Sequence, residues 1–258
     1  ARTRRYHALL LAATTPPTGR MVLVSGVEAF VTSGGQEWPL STQHYGPDVT
    51  WPRGADFLVA FVPEPWPRWT YRGADGTEVV QEIVVERESG TVLVAWRRVA
   101  GSGPASLRVR PLVAGRDYHA LMHENGAFAF AADEHAGNAC WHPYPGVPAI
   151  TAASSGTYRH APDWYRNFRY AEETARGLDD TEDLASPGEF GFDLAAGDAL
   201  LVLCAGDALD TDARAAAARI RTRERAARAP LAPLDRAAEQ YVVRRDDGRT
   251  IVAGFPWF

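Results

Sequence analysis

From Met21 to about Cys204 the chain is a succession of short extended runs separated by small turn residues, and that rhythm leaves few architectures open. Gly34-Gly35 divides residues 27–32 from the next run. Asp75-Gly76 divides 69–72 from 77–86, and Ser89-Gly90 divides that run from 91–99. Residues that tolerate positive φ suit tight antiparallel turns. Leu107 and Val109 alternate with Arg108 and Arg110. Phe128 and Phe130 are two apart, as are Phe190, Phe192 and Leu194, and a period of two places each set on one face of a sheet. Residues 92–96 and 199–203 are apolar throughout, the pattern of strands covered on both faces. The expectation is an all-β protein, an antiparallel sandwich or barrel.

The pattern changes after Asp207. Residues 211–228 are rich in Ala and Arg, both strong helix formers, and Asp210 or Thr211 is placed to cap the start. Ile220 is the one large apolar residue there, which predicts a solvated surface helix serving as a linker. Pro230 and Pro233 break the chain. Asp235 then reads as the cap of a second short helix, with Leu234, Ala237, Ala238, Tyr241 and Val242 as its apolar stripe. Asp246-Asp247-Gly248 turns into a last extended run at 250–253. The boundaries expected are a β unit over 1–206, a helical linker over 207–247 and the start of another unit over 248–258.

Composition closes several functional classes. The 258 residues carry 27 basic side chains and a net charge of −5, and every one of those bases is arginine. Phosphate-loop transfer, pyridoxal Schiff bases and lysine nucleophiles each need an ε-amine. The mild acidity predicts no nucleic-acid partner and no anionic membrane surface. No apolar run approaches the ~18 residues of a spanning helix. Cys140 and Cys204 make neither a disulfide framework nor a thiolate zinc cage, so a reduced, cytoplasmic setting is expected. A chain that opens at Ala1 and closes on an aromatic string reads as a piece cut from a longer protein near Phe258.

Catalytic motifs are thin. His119 and His123 are four apart, but Ala120 stands where the zinc-protease motif has its Glu, and Gly126 argues against a helix. No Gly-x-Ser-x-Gly frame surrounds any serine. Cys140 precedes Trp141-His142; adjacent strand residues point to opposite faces, so Cys140 reads as structural. Gly101-Ser-Gly103 lacks the third glycine of a dinucleotide loop and reads as a hairpin loop. Trp51, Trp66, Trp69, Trp141 and Trp164 sit among polar residues. They read either as sugar-stacking platforms or as core plugs. The carboxylates of 163–173 and 178–183 offer a general acid and base, or a loop salt-bridged to Arg166, Arg169 and Arg176.

Five segments in order carry a resemblance: TRRYHALL at 3–10, LSTQHY at 40–45, RDYHALMHEN at 116–125, WYRNF at 164–168 running through RGLD at 176–179 to SPG at 186–188, and DRAAEQYVVRR at 235–245 with TIVAGFPWF at 250–258. The chain resembles the N-terminal part of bacterial-type glycogen debranching enzymes, the amylo-α-1,6-glucosidase family, with Ala8 standing where that pattern has Gly. The resemblance implies a β-supersandwich of the galactose-mutarotase-like kind, joined by a short helical linker to an α/α barrel that holds the catalytic carboxylates. Residues 255–258 resemble the first strand and loop of that barrel. It further implies action on α-1,6-linked glucose stubs of glycogen, without cofactor or metal, and no catalytic residue within this chain. The partners implied are the chain's own C-terminal barrel and α-glucan, with a homodimer as the other way to cover the apolar face left by the barrel. The polar sets expected to touch glucan are Arg4, Arg5, Tyr6 and His7, then Arg116, Asp117, His119, His123, Glu124 and Asn125, since guanidinium forks and carboxylates bind sugar hydroxyls. Buried interface networks are the equal alternative. A free-standing carbohydrate-binding or sugar-epimerising sandwich, with His119 or His123 and Glu124 as acid and base, is the competing reading.

Overall fold

The computed structural model describes residues 2–135, 137–207, 209 and 211–252. In chain order the strands begin with β1 (Leu10–Thr15), β2 (Thr18–Ser33), β3 (Gln36–Pro39), β4 (Thr42–Tyr45), β5 (Val49–Arg53) and β6 (Leu58–Val62). There follow β7 (Arg68–Arg72), β8 (Glu78–Val85), β9 (Val92–Ala100), β10 (Ala105–Asp117), β11 (Ala132–His135) and β12 (Asn138–Trp141). The last are β13 (Ile150–Ser154), β14 (Thr157–Arg169), β15 (Thr181–Asp193), β16 (Ala199–Ala205), β17 (Val242–Arg245) and β18 (Gly248–Ile251). Three helices interrupt them: α1 (Ala171–Thr174), α2 (Ala213–Arg228) and α3 (Pro233–Glu239).

Two eight-stranded antiparallel sheets result. One runs β1-β2-β10-β15-β14-β4-β5 with β3 beside β2, and the other β11-β12-β13-β16-β9-β8-β7-β6. Their inner faces share one core, in which Val22, Val24, Val94, Trp96, Leu107, Val109, Trp141, Phe190 and Leu201 are buried. The protein is an all-β sandwich.

The turn signals act as their residues require. Gly34 and Gly35 adopt φ of 56° and 75°, and Ser33 pairs directly with Gln36 across them. Arg72 pairs with Glu78 across the Asp75-Gly76 turn, and Val85 with Val92 across Ser89-Gly90. Gly101-Ser-Gly103, expected to close a hairpin, instead carries the chain from β9 in one sheet to β10 in the other. Its glycines sit at φ of 94° and 90°, open to glycine and strained for other residues. Phe128 and Phe130 belong to no strand. Their rings still meet, 4.7 Å apart, because the irregular segment folds under Trp164 and Tyr144.

The doubly apolar runs are covered as expected, and the cover comes from α2. In β9, Val92, Val94 and Trp96 face the inter-sheet core, whereas Leu93 and Ala95 face outward. In β16, Leu200 and Val202 join them. Ala213, Ala216, Ala217 and Ile220 of α2 pack on that outer surface. The small alanines let the helix lie close to the strands, so a helix with one large apolar residue is held to the sandwich rather than solvated as a linker. Its N-cap is Asp212, whose carboxylate accepts from the backbone N–H of Arg214 and Ala215 at 2.8 Å. Asp210 lies outside the described residues. Asp235 is not a cap: Ala232 holds that position in α3 and Pro233 starts the helix. The expected stripe of α3 is not buried, and Leu234 is 83% exposed. β17 and β18 form a two-residue hairpin through Asp246 and Asp247; the expected barrel start at 255–258 lies outside the described residues.

Replacing Ile220 with Ala should cost about 2–4 kcal/mol in urea unfolding, because the cavity opens between helix and sheet. A helix serving only as a solvated linker would change by less than about 0.5 kcal/mol.

Candidate functional site

The chain's first turn and the ends of three neighbouring strands meet at one end of the first sheet. β10, β15 and β14 lie side by side, and the segments leaving them bring residues 116–125, 170–174 and 179–183 against residues 2–7. The backbone N–H of Glu172 donates to Thr3 O at 3.0 Å and fixes that approach.

Two buried glutamates organise this corner. Glu182, at 0% exposure, receives the Arg116 guanidinium on both oxygens, with Nη2 to Oε2 at 3.0 Å and a close contact from Nε to Oε1. The Tyr170 hydroxyl donates to the same carboxylate, as does the Met122 backbone N–H at 3.2 Å. The remaining Arg116 donors reach Asp117 O, Tyr118 O and Arg5 O at 3.1, 3.3 and 2.8 Å. Burial works to lower the Arg116 guanidinium, but the hydrogen bond and charge of Glu182 outweigh it and raise it. Burial, then the Glu182 charge, pushes the Tyr170 phenol far above its ordinary value. Glu173, also at 0% exposure, accepts from Arg4 Nε at 3.3 Å and from the Arg5 backbone N–H at 3.1 Å. Arg5 spans outward to His119 O at 2.8 Å and Asp179 O at 2.7 Å.

The expected polar sets therefore divide. Arg4, Arg5, Tyr6, His7, Arg116, Asp117 and His119 come together. Tyr6 Oη lies 3.2 Å from His119 Nδ1, and Asp117 accepts from the His119 backbone N–H at 2.8 Å. The His7 Nδ1 accepts from the Thr3 backbone N–H at 3.2 Å. Burial lowers the His7 imidazole below its ordinary value, and the Arg4 charge adds to the effect. His123, Glu124 and Asn125 form a second, exposed group around Asp183. His123 Nδ1 is 3.7 Å from Asp183 Oδ2, which accepts from the Glu124 backbone N–H at 3.0 Å. The Glu124 carboxylate pairs closely with Arg166, and Asn125 Nδ2 donates to Tyr144 Oη at 2.8 Å. The contacts of Glu124, His119 and His123 thus do not join either imidazole to that carboxylate in the acid–base pair of the epimerase reading.

Glu173, Glu182, Tyr170 and Asp183 were not singled out individually by sequence. Their signal was present, since all lie in or beside the dense acidic and aromatic run. Of the arginines expected to pair with that run, Arg176 pairs with Glu172 and Arg169 lies 3.6 Å from Asp180, whereas Arg166 pairs with Glu124; what sequence omitted was Arg116 as the partner of Glu182. The tryptophans also divide. Trp66 and Trp141 are core plugs at 3% and 0% exposure, whereas Trp51 is 61% exposed.

Cys140 departs from the sequence reading in one respect. Trp141 faces the core, so Cys140 and His142, two apart, share the opposite face. Sγ lies 3.8 Å from His142 Nε2. Burial raises the Cys140 thiol above its ordinary value.

The family described as glycogen debranching enzyme, N terminal, matches residues 1–201. Comparison with curated proteins gave no match.

Arg116→Ala leaves Glu182 buried and unneutralised, and should cost about 3–5 kcal/mol in urea unfolding. The lowered imidazole predicts a pH effect as well. Neutral His7 is favoured by the fold, so its contribution is complete above about pH 6.5 and is lost as pH falls through the depressed folded value. The urea midpoint should fall between about pH 7.5 and about pH 5.5, and His7→Gln should remove that part of the slope.

Proposed function

This chain belongs to the glycogen debranching enzyme N-terminal family, and on that premise we propose that it is the non-catalytic sandwich domain of a debranching α-1,6-glucosidase, working in the cytoplasm. Its task is to brace the catalytic α/α barrel, which acts on glucose stubs of branched α-glucan. The observation that carries this reading is the family match across both sheets. The chemistry of the carboxylates supports its non-catalytic half. Glu28, Glu86, Glu173, Glu182, Glu189 and Glu224, the buried glutamates, each hold at least one arginine within salt-bridge distance. A carboxylate enclosed in the protein and committed to a fixed guanidinium is not presented to a substrate as a free general acid or base. Among the described residues no helix is long and apolar enough to cross a membrane.

Bracing needs an apolar face, and two successive edge strands supply one. β5 ends one sheet and β6 ends the other, with the 3-10 turn Gly54–Phe57 between them. Val49, Trp51, Leu58, Val59, Phe61 and Val62 are all exposed there. The occupant we assign to this face is the family's catalytic barrel. Glucan contact falls to the exposed His119, His123, Glu124 and Asn125, because Arg116 and Glu173 are buried inside the corner.

The chain by itself should release no glucose from limit dextrin. Maltooligosaccharide titration of its tryptophan fluorescence should give a Kd in the mM range, about −4 kcal/mol. Mixed with the catalytic barrel of a debranching glucosidase of this family, it should co-elute in gel filtration. Phe61→Ser combined with Val59→Ser should abolish co-elution while the melting curve stays cooperative. Glucose release by the chain alone would end the proposal.

A further inference from the structure

We propose that Cys140, His142 and Asp207, with Asp133 completing the set, form a binding site for one zinc ion on the outer face of the second sheet. The inference is independent of the debranching reading, because it rests on side chains remote from the Glu182 corner and the β5–β6 edge.

The strand register builds the site. Asp133 pairs with Cys140, Cys140 with Thr151, and Thr151 with Cys204, so β11, β12, β13 and β16 present one row across the sheet. Trp141 is buried in the core, which turns Cys140 and His142 outward together. Asp207 follows β16, where the Gly206 backbone N–H donates to Ala149 O at 2.8 Å and Thr151 Oγ1 donates to Gly206 O at 2.6 Å. That turn delivers the Asp207 carboxylate to the same place. One ligand atom each from Cys140, His142 and Asp207 lies within 4.8 Å of the others. Asp133 Oδ2 is 3.7 Å from His142 Nε2, and Asp207 Oδ1 is 3.9 Å from Nδ1.

Two of these separations, from Cys140 Sγ and Asp133 Oδ2 to His142 Nε2, are close to the edges of a zinc tetrahedron; Asp207 is nearest the other ring nitrogen, Nδ1, and since one ion takes one ring nitrogen its carboxylate has to turn toward Nε2 to join them. With Zn–S and Zn–N bonds of about 2.3 and 2.0–2.1 Å, S and N stand about 3.6 Å apart, and N and O slightly less. Cys140 Sγ and His142 Nε2 are already 3.8 Å apart. A thiol, an imidazole and carboxylates favour a borderline-soft cation over Mg or Ca, which take oxygen alone. The charge pattern agrees. The buried glutamates are matched to arginines, yet among the described residues neither Asp133 nor Asp207 has a salt-bridge partner other than His142. A dication is met there by two carboxylates that, among the described residues, pair with no arginine, and it displaces the thiol proton to solvent as it binds. Two cysteines are too few for an all-thiolate cage; a mixed set with one thiolate needs only one.

The test uses the full chain, free of any affinity tag and stripped by chelator. Titrated with Co²⁺, it should develop a thiolate-to-cobalt charge-transfer band that saturates at one equivalent and is displaced by Zn²⁺. Cys140→Ser should abolish the band, and Cys204→Ser should leave it. His142→Ala, Asp207→Asn and Asp133→Asn should each weaken zinc binding about tenfold or more in competition with a chromophoric chelator. His142 and both aspartates are exposed, so these variants should melt as the parent does without metal, which keeps the test valid if the cysteine variant misfolds. Sub-stoichiometric uptake by the parent chain, a band that follows Cys204, or zinc affinity unchanged by His142→Ala would overturn the site.

Discussion

The sandwich depends on buried glutamates matched to arginine forks. Each such carboxylate has given up water, a cost of several kcal/mol that only close and well-directed donors offset. Arginine provides those donors in a planar fork, which a lysine ammonium does not. A chain whose bases are all arginine is suited to this device. The pairs also join segments distant in sequence. Glu173 holds the first turn through Arg4 and Arg5, Glu182 ties β15 to β10 through Arg116, and Glu86 anchors α2 through Arg219 and Arg223. Glu189 gathers Arg108, Arg110 and Arg159 from two strands. Removing a single member leaves its partner charged and dry, so these pairs fix geometry more than they add net stability.

What the residues revealed in advance was local. Two glycines in succession specify a turn whatever surrounds them, and the hairpins at 34–35, 75–76 and 89–90 formed accordingly. A run such as 92–96 must be covered on both faces wherever it lies, and so it is. Apart from the Asp235 cap and the period-two pair Phe128 and Phe130, the failures were non-local. Gly101 and Gly103 mark a turn, but nothing nearby states whether the next strand joins the same sheet. The alanine face of α2 became a packing face because a flat apolar surface was available, a fact written in β9 and β16 rather than in the helix. The polar corner shows the same division. Residues 4–7 and the polar residues of 116–125 stand out in the sequence as candidates, but the glutamates that hold them do not, since spacing cannot match an arginine to an acid 66 or 169 positions away. Cys140 and His142 share a face by the same period of two that identified the strands.

The corner and the edges have different physical characters, and that difference separates their roles. In the corner, Arg116, Tyr170 and Glu182 are enclosed and their donors and acceptors are largely consumed by one another, while Glu173 beside them is held by Arg4 and Arg5 through Oε1 alone. Such a network holds backbone in place and offers little to a ligand. The neighbouring His119, His123, Glu124 and Asn125 remain exposed on backbone that the network holds. Rigid support behind exposed polar side chains is the arrangement that lets a loop recognise something without itself having to be ordered first.

The two edges of the second sheet sharpen the contrast. An unpaired edge strand invites association, and proteins usually blunt it with charge or cover. β11 follows that rule: Asp133, Glu134 and His135 are exposed along it. β6 does not, for its sequence is LVAFV and every residue of it is exposed. Its neighbour in the chain, β5, adds Val49 and Trp51. Both edges belong to one sheet, so a general tolerance of sticky edges fails to explain why only one is charged. The asymmetry follows directly if β6 is covered by another domain and β11 faces water. On that account the same sheet is apolar where it is joined and acidic where it is left free, and the acids at the free edge are then available to the thiol and imidazole beside them.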